Sequence, residues 1–392
     1  MLFTNLSIVL PDQTLQHGSL RLEDGRIAAI SENPAPPPAG ATVVNGCDLT
    51  VMPGIIDLHG DMLERELEPR PGVHLPIDMA LYELDKRLAA AGVTTAYAAL
   101  SFIDPQHDES VRDPHKVREV ITTLNQLRSE LLVDTYIHAR FEVSTPGIAP
   151  FLAEMLAAEQ IHMVSLMDHT PGQGQYRDIE RFVSFLAKWR RVDRSHIEEE
   201  IHEQMQKAQD AQGNWELARD IVGVAADQGL PIASHDDDTP EKVDLVASLG
   251  ATICEFPVTL KAAEEARRRG MHVAMGAPNV LRGSSHSGNL SAREAIAAGV
   301  VDLLAADYYP AALLHAVFAL EAEGMLPLHL AAKLVSQHVA EALELRERGS
   351  IELGKRADLV LVETAGRPRV RGTIRHGVPI YLDGTMAQRT SR

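Results

Sequence analysis

The sequence predicts an α/β fold: a TIM-like (β/α)8 barrel with a small β-sandwich domain built from both chain ends. Two observations favour it. Apolar runs alternate with helix-prone stretches through the middle of the chain, and short β-type runs with turn signals stand at both ends. Alternating strands and helices are typical of parallel βαβ units, and eight such units can close into a barrel. The alternation by itself also fits an open, doubly wound sheet.

The chain ends predict the sandwich. Residues 1–52 and 346–392 both consist of short β-type runs, and Asp24-Gly25 is a hairpin signal. Neither end has enough strands for a stable sheet alone, and chain termini often lie close together. We therefore expect 1–52 plus 346–392 to form a composite β-sandwich and 53–345 to form the barrel.

The middle of the chain contains eight apolar runs that suit strands buried on both faces. They are residues 51–61, 92–101, 133–143, 161–169, 230–236, 251–258, 271–279 and 300–310. Residues 177–220 interrupt this pattern with a long, highly charged, helix-prone insertion. We expect surface helices there, either as a solvated structural insertion or as a lid.

The composition and charge of the chain argue against several classes of function. The 392-residue chain has a formal net charge of −18, which would repel nucleic acid and an anionic membrane surface. Its two cysteines, Cys47 and Cys254, are too few for a disulfide framework and favour a reducing compartment. The first residues lack a basic region and a cleavage site, and no run is long enough to span a membrane. We expect a cytoplasmic protein.

Polar residues stand at the ends of five predicted strands. They are His59 and Asp61 on the first strand, Glu142 on the third, His169 on the fourth, His235 on the fifth and Asp307 on the eighth. The C-terminal strand ends of a barrel converge on one face, where active sites lie. Nitrogen and oxygen ligands of this kind suit a divalent metal, one or two ions, with zinc first and Mn, Fe or Mg as alternatives.

Each of these residues also has a structural interpretation. A single histidine at a strand end is more often hydrogen-bonded than a ligand, and an aspartate before a helix is usually an N-cap. Asp236, Asp237 and Asp238 fit the description of a cap. The metal hypothesis depends on the joint pattern, because the structural alternatives would have to hold independently on five strands.

Two motifs resemble the amidohydrolase superfamily: PGIIDLHGD on the first strand and GSIELGKRADLVLVE near the end. The resemblance implies the barrel with its sandwich, a strand-one metal motif at His59 and Asp61, and a strand-eight carboxylate, Asp307, that binds metal and shuttles protons. The chain departs from the common pattern. His-x-His is replaced by His59-Gly60-Asp61, no lysine stands near the end of strand four, and Glu255 occupies strand six where histidine is common. Glu142 and His169 are therefore expected as substitutes.

Longer motifs narrow the resemblance. SLMDHTPGQGQY, ASHDDDT, EFPVT, MGAPNVLRGSSHSGN and DYYPAALL resemble the diphosphatase family of the carbon–phosphorus lyase pathway in phosphonate metabolism. The resemblance implies hydrolysis of alpha-D-ribose 1-methylphosphonate 5-triphosphate to the 5-phosphate and pyrophosphate. The expected partner is thus a small-molecule phosphorylated ribose substrate, with no nucleic acid and no membrane. The sequence leaves the oligomeric state open, a homo-oligomer included.

The segment after strand seven supports an anionic substrate. Glycine and serine let backbone N–H groups approach a phosphate, arginine can bind one through two hydrogen bonds, and histidine can donate another. The candidate residues are Asn279, Arg282, Gly283, Ser284, Ser285 and His286. A flexible linker is the structural alternative. Thr170 adds a donor after strand four, and Arg140 either binds phosphate or holds the carboxylates in place.

These residues predict metal-assisted hydrolysis of a phosphoanhydride, with Asp307 taking the proton from the attacking water. Two alternatives stay open. One is amide or amidine hydrolysis, as in deacetylases and deaminases, on the same metal site. The other is a catalytically dead scaffold. The loop with Arg282 argues against a neutral amide substrate, and the retained ligand set argues against a dead scaffold.

Overall fold

The computed structural model describes residues 1–32, 40–103, 111–190, 192–209, 214–285 and 288–391. The strands are β1 (Leu2–Val9), β2 (Thr14–Glu23), β3 (Arg26–Ser31), β4 (Val43–Asn45), β5 (Leu49–Pro53), β6 (Ile55–Gly60), β7 (Val93–Phe102), β8 (Asp134–Glu142), β9 (Met163–Met167), β10 (Ile232–His235), β11 (Ile253–Glu255), β12 (His272–Gly276), β13 (Leu303–Ala305), β14 (Leu359–Glu363), β15 (Arg369–Arg375), β16 (Val378–Leu382) and β17 (Thr390–Ser391).

The helices lie mainly between the barrel strands. They are α1 (Met62–Leu67), α2 (Ile77–Ala90), α3 (Pro114–Leu127), α4 (Ala149–Ala157), α5 (Ile179–Arg190), α6 (Arg194–Gln209), α7 (Asn214–Asp227), α8 (Pro240–Ser248), α9 (Leu260–Arg268), α10 (Ala277–Arg282), α11 (Ala292–Ala297), α12 (Ala311–Ala322), α13 (Leu328–Lys333) and α14 (Gln337–Ala342). Within the described residues, none of them combines the length and the apolar content that crossing a membrane requires.

Strands β6 to β13 form one parallel sheet in sequential order, each paired with the next. The first and last strands then meet at a bridge between Gly60 and Asp307. The Asp61 amide donates to the Asp307 carbonyl at 2.8 Å, and the Asp307 amide donates to the His59 carbonyl at 2.9 Å. We call these contacts the closing seam. They nearly close the barrel, so the predicted fold class is confirmed over the open doubly wound sheet.

Each of the eight runs predicted as a barrel strand overlaps one observed barrel strand, and the first run, 51–61, also includes the end of β5. The reason is burial on both faces. β7, for example, is buried along its whole length, with one face toward the barrel interior and the other under the helices. Side chains such as Ile56, Leu58 and Ile253 form one buried apolar cluster, as expected for the packed interior of a barrel.

A second sheet unites the two chain ends. Its order is β16-β15-β14-β5-β1-β2-β3, and β4 pairs with both β1 and β17. The antiparallel pairing of β14 with β5 joins the C-terminal strands to the N-terminal ones, so the prediction that the ends pair is confirmed. We propose that the chain divides as predicted, into one domain of residues 1–52 and 346–392 and a barrel domain of residues 53–345. The separate apolar cluster around Phe3 and Leu359 supports it.

Most of the described residues within 177–220, the predicted insertion, lie in helices. The insertion contains α5, α6 and the start of α7. Val183, Ile197 and Ile201 form a small apolar cluster of their own there. The Phe182 ring stacks on Tyr176 with centroids 3.9 Å apart, which ties α5 to the segment after β9. A lid function for this insertion stays a prediction.

An ionic network joins the second sheet to the barrel at the face opposite the C-terminal strand ends. Asp134, at the start of β8, contacts three arginines from the C-terminal segment: Arg348 at 2.8 Å, Arg356 at 2.5 Å and Arg375 at 3.0 Å. Burial alone would raise the pKa of Asp134, but Arg356 and Arg348 outweigh it and lower the pKa. Arg348 is itself buried, so this carboxylate compensates a charge that water cannot reach.

We expect Asp134→Ala to lower the free energy of unfolding by about 3 kcal/mol, because removing one partner leaves a buried charge without compensation. Urea denaturation followed by circular dichroism measures this. The matched control is Glu83→Ala, which removes an exposed pair with Lys86 and should cost less than about 1 kcal/mol. Equal losses in the two variants would contradict a structural role for the network.

Candidate active site

Two groups of histidine and carboxylate side chains lie at the C-terminal ends of the barrel strands. The inner cluster comprises His59 on β6, His138 on β8 and Glu255 on β11, all buried. The outer cluster comprises His169 after β9, His235 at the end of β10 and the adjacent Asp236. Within each cluster the candidate ligand atoms lie within 4.8 Å of one another.

The inner cluster is built around one carboxylate. Glu255 Oε2 lies 3.2 Å from His59 Nδ1 and 3.9 Å from His138 Nε2. His138 Nδ1 lies 3.1 Å from the Leu58 carbonyl oxygen. Because a carbonyl only accepts hydrogen bonds, Nδ1 carries the proton, and Nε2 keeps a free lone pair directed toward the cluster.

Buried polar atoms of the inner cluster lack partners. His59 Nε2, His138 Nε2 and Glu255 Oε1 have no hydrogen bond to any described residue. Buried polar atoms are nearly always bonded in folded proteins, so these orphaned atoms point to a missing group. Two imidazole nitrogens and a carboxylate are ligands that Zn²⁺ and similar ions take. The cluster therefore fits a divalent metal.

The pKa of His59 also favours a cation in the inner cluster. Burial alone would lower the pKa of His59, but the carboxylates of Glu255 and Asp61 outweigh it and raise the pKa to about 10. The surrounding carboxylates thus stabilise a positive charge at this position. A divalent cation would take the place of the proton, since histidine binds metal in its neutral form.

The outer cluster centres on Asp236. Its Oδ2 lies 3.0 Å from His235 Nδ1 and 3.6 Å from His169 Nε2. Neither His235 Nδ1 nor Asp236 Oδ2 has a hydrogen bond within the described part of the chain. The backbone of Asp236 is left-handed, with φ of 58°. A residue other than glycine rarely adopts this conformation, and it is found preferentially at functional sites.

Glu142 was predicted as a ligand, and the structure places it beside His169. Its Oε2 lies 2.7 Å from His169 Nδ1, and its Oε1 accepts hydrogen bonds from Ser144 Oγ at 2.6 Å and from the His169 amide at 3.1 Å. These contacts hold the imidazole so that Nε2 faces Asp236. Glu142 belongs to neither cluster, and its geometry is that of a residue that orients a histidine ligand.

The interpretation of Asp236, Asp237 and Asp238 as N-caps is wrong. Helix α8 is capped by Thr239, whose side chain accepts the Lys242 amide. The sequence shows a run of cap-type residues before a helix, and only the structure decides which one caps. The remaining aspartates are then free for other contacts, and Asp236 joins the outer cluster.

Asp61 lies next to the inner cluster and is held by Arg140. Its Oδ1 is 3.4 Å from His59 Nε2 and accepts a hydrogen bond from Arg140 Nη1 at 2.7 Å. Burial alone would raise the pKa of Asp61, but Arg140 and His59 outweigh it and keep the pKa well below its usual value. Of the two roles predicted for Arg140, the one that holds carboxylates in place matches these contacts.

Asp307 is positioned by the closing seam. Its backbone is left-handed, with φ of 56°. One residue earlier, the Ala306 amide donates to Asp57 Oδ1 at 2.9 Å, and the same oxygen lies 3.3 Å from the His59 amide. Asp57 therefore fastens the end of β13 to β6. Burial and the nearby Asp61 raise the pKa of Asp307 to about 7, which suits a proton acceptor at neutral pH.

A cavity of about 490 Å³ opens over these residues. Asp61, Arg140 and Asp307 line it together with the whole outer cluster. Two further guanidinium groups, Arg65 and Arg282, also line it. Neither has an ion pair or hydrogen bond to another described residue, which leaves two cations available to an anionic ligand.

The predicted phosphate loop only partly faces this cavity. Arg282, Asn279 and Ser285 line it. The Asn279 side chain donates to the Leu290 carbonyl at 3.0 Å and accepts the Ala292 amide at 3.1 Å, so its polar atoms hold the loop.

The other predicted substrate residues lie elsewhere. Gly283 ends α10 with φ of 73°, and its amide donates to the Asn279 carbonyl. Ser284 is exposed and does not line the cavity. The Thr170 hydroxyl donates to Asp168 Oδ1 at 2.7 Å, also away from it. His286 lies outside the described residues.

Three residues of the two clusters were not predicted as ligands from the sequence: His138, Glu255 and Asp236. One signal was available: His138 alternates with Arg140 and Glu142 along β8, so all three point to the same face of the strand. Arg65 gave no signal, because it follows the strand-one motif on a short helix among acidic residues.

We expect His138→Ala to weaken metal binding by at least about tenfold, since even residues that only contact ligands change affinity by 10- to 100-fold. Elemental analysis after dialysis against graded chelator measures this, and circular dichroism confirms folding. The control is His376→Ala, which changes an exposed histidine in the turn between β15 and β16 and should keep the wild-type metal content. Full metal content in His138→Ala, or no metal in the wild-type protein, would contradict the assignment.

Two comparisons with known sequences identify related proteins. Residues 193–381 match the family described as "Amidohydrolase family". Alpha-D-ribose 1-methylphosphonate 5-triphosphate diphosphatase of Escherichia coli (strain K12) is 35% identical over 365 residues, which are 92% of this chain and 94% of that protein.

Solved structures share the fold at low identity. A prolidase complexed with N-methylphosphonate-L-proline has a TM-score of 0.65 at 15% identity, covering 97% of this chain and 99% of its own. N-acetyl-D-glucosamine-6-phosphate deacetylase from Mycobacterium smegmatis has a TM-score of 0.63 at 17% identity, covering 97% and 100%. By its identity to the E. coli diphosphatase over nearly its whole length, this chain belongs to the same family, within the amidohydrolase superfamily.

Proposed function

We propose that this protein hydrolyses alpha-D-ribose 1-methylphosphonate 5-triphosphate to the 5-phosphate and pyrophosphate, as a step in phosphonate catabolism. One observation carries the proposal: the cavity brings the unpaired guanidinium groups of Arg65 and Arg282 beside the metal-ligand clusters. A neutral amide needs no such cations, whereas a triphosphate does. The printed activity of the E. coli relative supports the same substrate.

The metal would be held by the inner and outer clusters, with Asp61 and Asp307 beside them. We infer one or two divalent ions, zinc in the first place, because imidazole nitrogens and carboxylate oxygens are its usual ligands. When bound, such an ion supplies Lewis-acid chemistry that polarises a phosphoryl oxygen and makes water more acidic.

Asp307 is the proposed proton acceptor. It lines the cavity, and its raised pKa suits it to take a proton from the attacking water and return it to a leaving oxygen. In the reaction, a bond forms between the water oxygen and phosphorus. With pyrophosphate as the leaving group, the attacked phosphorus is that of the first phosphate. The bond from it to the bridging oxygen breaks, and the electron pair leaves on that oxygen with pyrophosphate. The closing seam holds Asp307 beside His59 during this step.

Arg282 and Arg140 have different roles in this scheme. Arg140 is committed to Asp61 and keeps that carboxylate in place. Arg282 is free of protein partners, so its guanidinium can bind phosphate oxygens and stabilise the charge that develops on pyrophosphate as it leaves.

Asp307→Asn should lower turnover by about 10²- to 10⁴-fold, the range for removal of a general acid–base group. The substitution keeps nearly the same shape, so fold and most of the metal should be retained. Pyrophosphate release and elemental analysis measure the two properties. Asp220→Asn, an exposed aspartate on α7, is the control and should retain wild-type turnover. Wild-type turnover in Asp307→Asn would rule out this residue as the proton acceptor.

Arg282→Ala separates phosphoanhydride hydrolysis from amide hydrolysis. Loss of charge-assisted hydrogen bonds to the triphosphate should lower kcat/KM about tenfold to hundredfold, with metal content unchanged. Arg219→Ala, an exposed arginine outside the cavity, should have no effect. The proposed function fails if the wild-type protein releases no pyrophosphate from this substrate, or if Arg282→Ala releases it at the wild-type rate.

A further inference from the structure

The two free guanidinium groups of the cavity stand on opposite sides of Asp307 in the barrel. Asp307 follows β13, whose neighbours are β12 on one side and β6 on the other. Arg282 ends α10, directly after β12, and Arg65 lies in α1, directly after β6. A ligand that contacts both arginines must therefore extend across the proposed proton acceptor.

Arg65 forms no ion pair with a described residue, although it stands among acidic residues. Glu64 pairs with Arg112 at 2.9 Å, and Glu66 pairs with Arg87. The third acidic neighbour, Glu68, accepts the Gly72 amide at 2.7 Å and lies 3.8 Å from His74. The carboxylates of Glu64, Glu66 and Glu68 thus contact other groups, and none of them pairs with Arg65.

Arg65 is also held in position toward the cavity. Its guanidinium carbon lies 5.6 Å from the centroid of the Tyr308 ring, and Tyr308 directly follows Asp307. A guanidinium group that rests on an aromatic ring keeps its N–H groups at the edge, where they can bind an anion. The aromatic contact leaves the charge uncompensated and restricts the motion of the side chain.

The proposed substrate has an anionic group at each end, a triphosphate on C5 and a phosphonate on C1. Resting on that proposed function, we propose that Arg65 and Tyr308 form a second anion subsite that binds the phosphonate, while Arg282 binds the triphosphate. The enzyme would then select sugars with an anion on both ends over triphosphates with a neutral group on C1. In a chain with net charge −18, a substrate with both ends charged needs a cation at each of them.

The test compares two substrates in pyrophosphate release: alpha-D-ribose 1-methylphosphonate 5-triphosphate, and D-ribose 5-triphosphate, which lacks the phosphonate. Arg65→Ala should lower kcat/KM at least about tenfold for the first, mainly through KM, and change it less than about twofold for the second. Arg282→Ala should lower kcat/KM for both. Arg65→Lys should be intermediate with the first substrate, because lysine keeps the charge but not the paired hydrogen bonds.

Arg118→Ala is the matched control, since the Arg118 guanidinium also lies over an aromatic ring, that of Phe151 at 4.9 Å, but pairs with Glu154 and does not line the cavity. It should behave as wild type with both substrates. Calorimetric titration of the product, alpha-D-ribose 1-methylphosphonate 5-phosphate, gives a readout without catalysis, and Arg65→Ala should bind it at least about tenfold more weakly.

Two results would overturn the subsite while leaving the proposed function intact. Equal losses of kcat/KM for the two substrates in Arg65→Ala would place Arg65 on the triphosphate. Unchanged kcat/KM and unchanged product binding would remove Arg65 from the site. If the wild-type protein hydrolyses neither substrate, the proposed function fails, and the subsite falls with it.

Discussion

The closing seam between β6 and β13 is the constraint on which the site depends. Two backbone hydrogen bonds tie Asp307 to the residues on either side of Gly60, and the Asp57 carboxylate fastens Ala306 to the same strand. The seam is short, because a single bridge joins the strands. At this bridge the backbone of Asp307 is left-handed, and its carboxylate lies near His59 and Asp61. Without it, β6 and β13 would be the two open edges of a sheet.

Electrostatic compensation explains the arrangement around the seam. The inner cluster buries two imidazoles and a carboxylate whose free atoms have no described partner, an arrangement that is costly unless a cation completes it. Around it, two carboxylates have a cation or hydrogen-bond donors of their own. Arg140 holds Asp61, and Glu142 is occupied by His169 and Ser144. The residues near the clusters are thus of two kinds: side chains that could bind a metal, and side chains that hold those ligands in position.

The acidic character of the chain makes its free cations informative. The chain has a net charge of −18, and Arg112 and Arg140 near the strand ends both have carboxylate partners. Arg65 and Arg282 do not, and both line the cavity. The pairing of neighbouring carboxylates with Arg112 and Arg87 is what leaves Arg65 uncompensated. Two unpaired cations thus stand where an anionic substrate would meet the ligand clusters.

The sequence by itself determined the eight barrel strands, the pairing of the chain ends and the presence of polar residues at the strand ends. These follow from local signals, because a strand buried on both faces must be apolar wherever it packs. The tertiary structure alone decided which polar residues meet. His138 and Glu255 join His59 across strands distant in sequence, Asp236 becomes a ligand candidate because Thr239 caps α8, and Glu142 turns toward His169. Arg65 is left unpaired because its acidic neighbours contact arginines from other parts of the chain. Such contacts join residues that are distant in sequence. The spacing of residues along one strand therefore does not predict them.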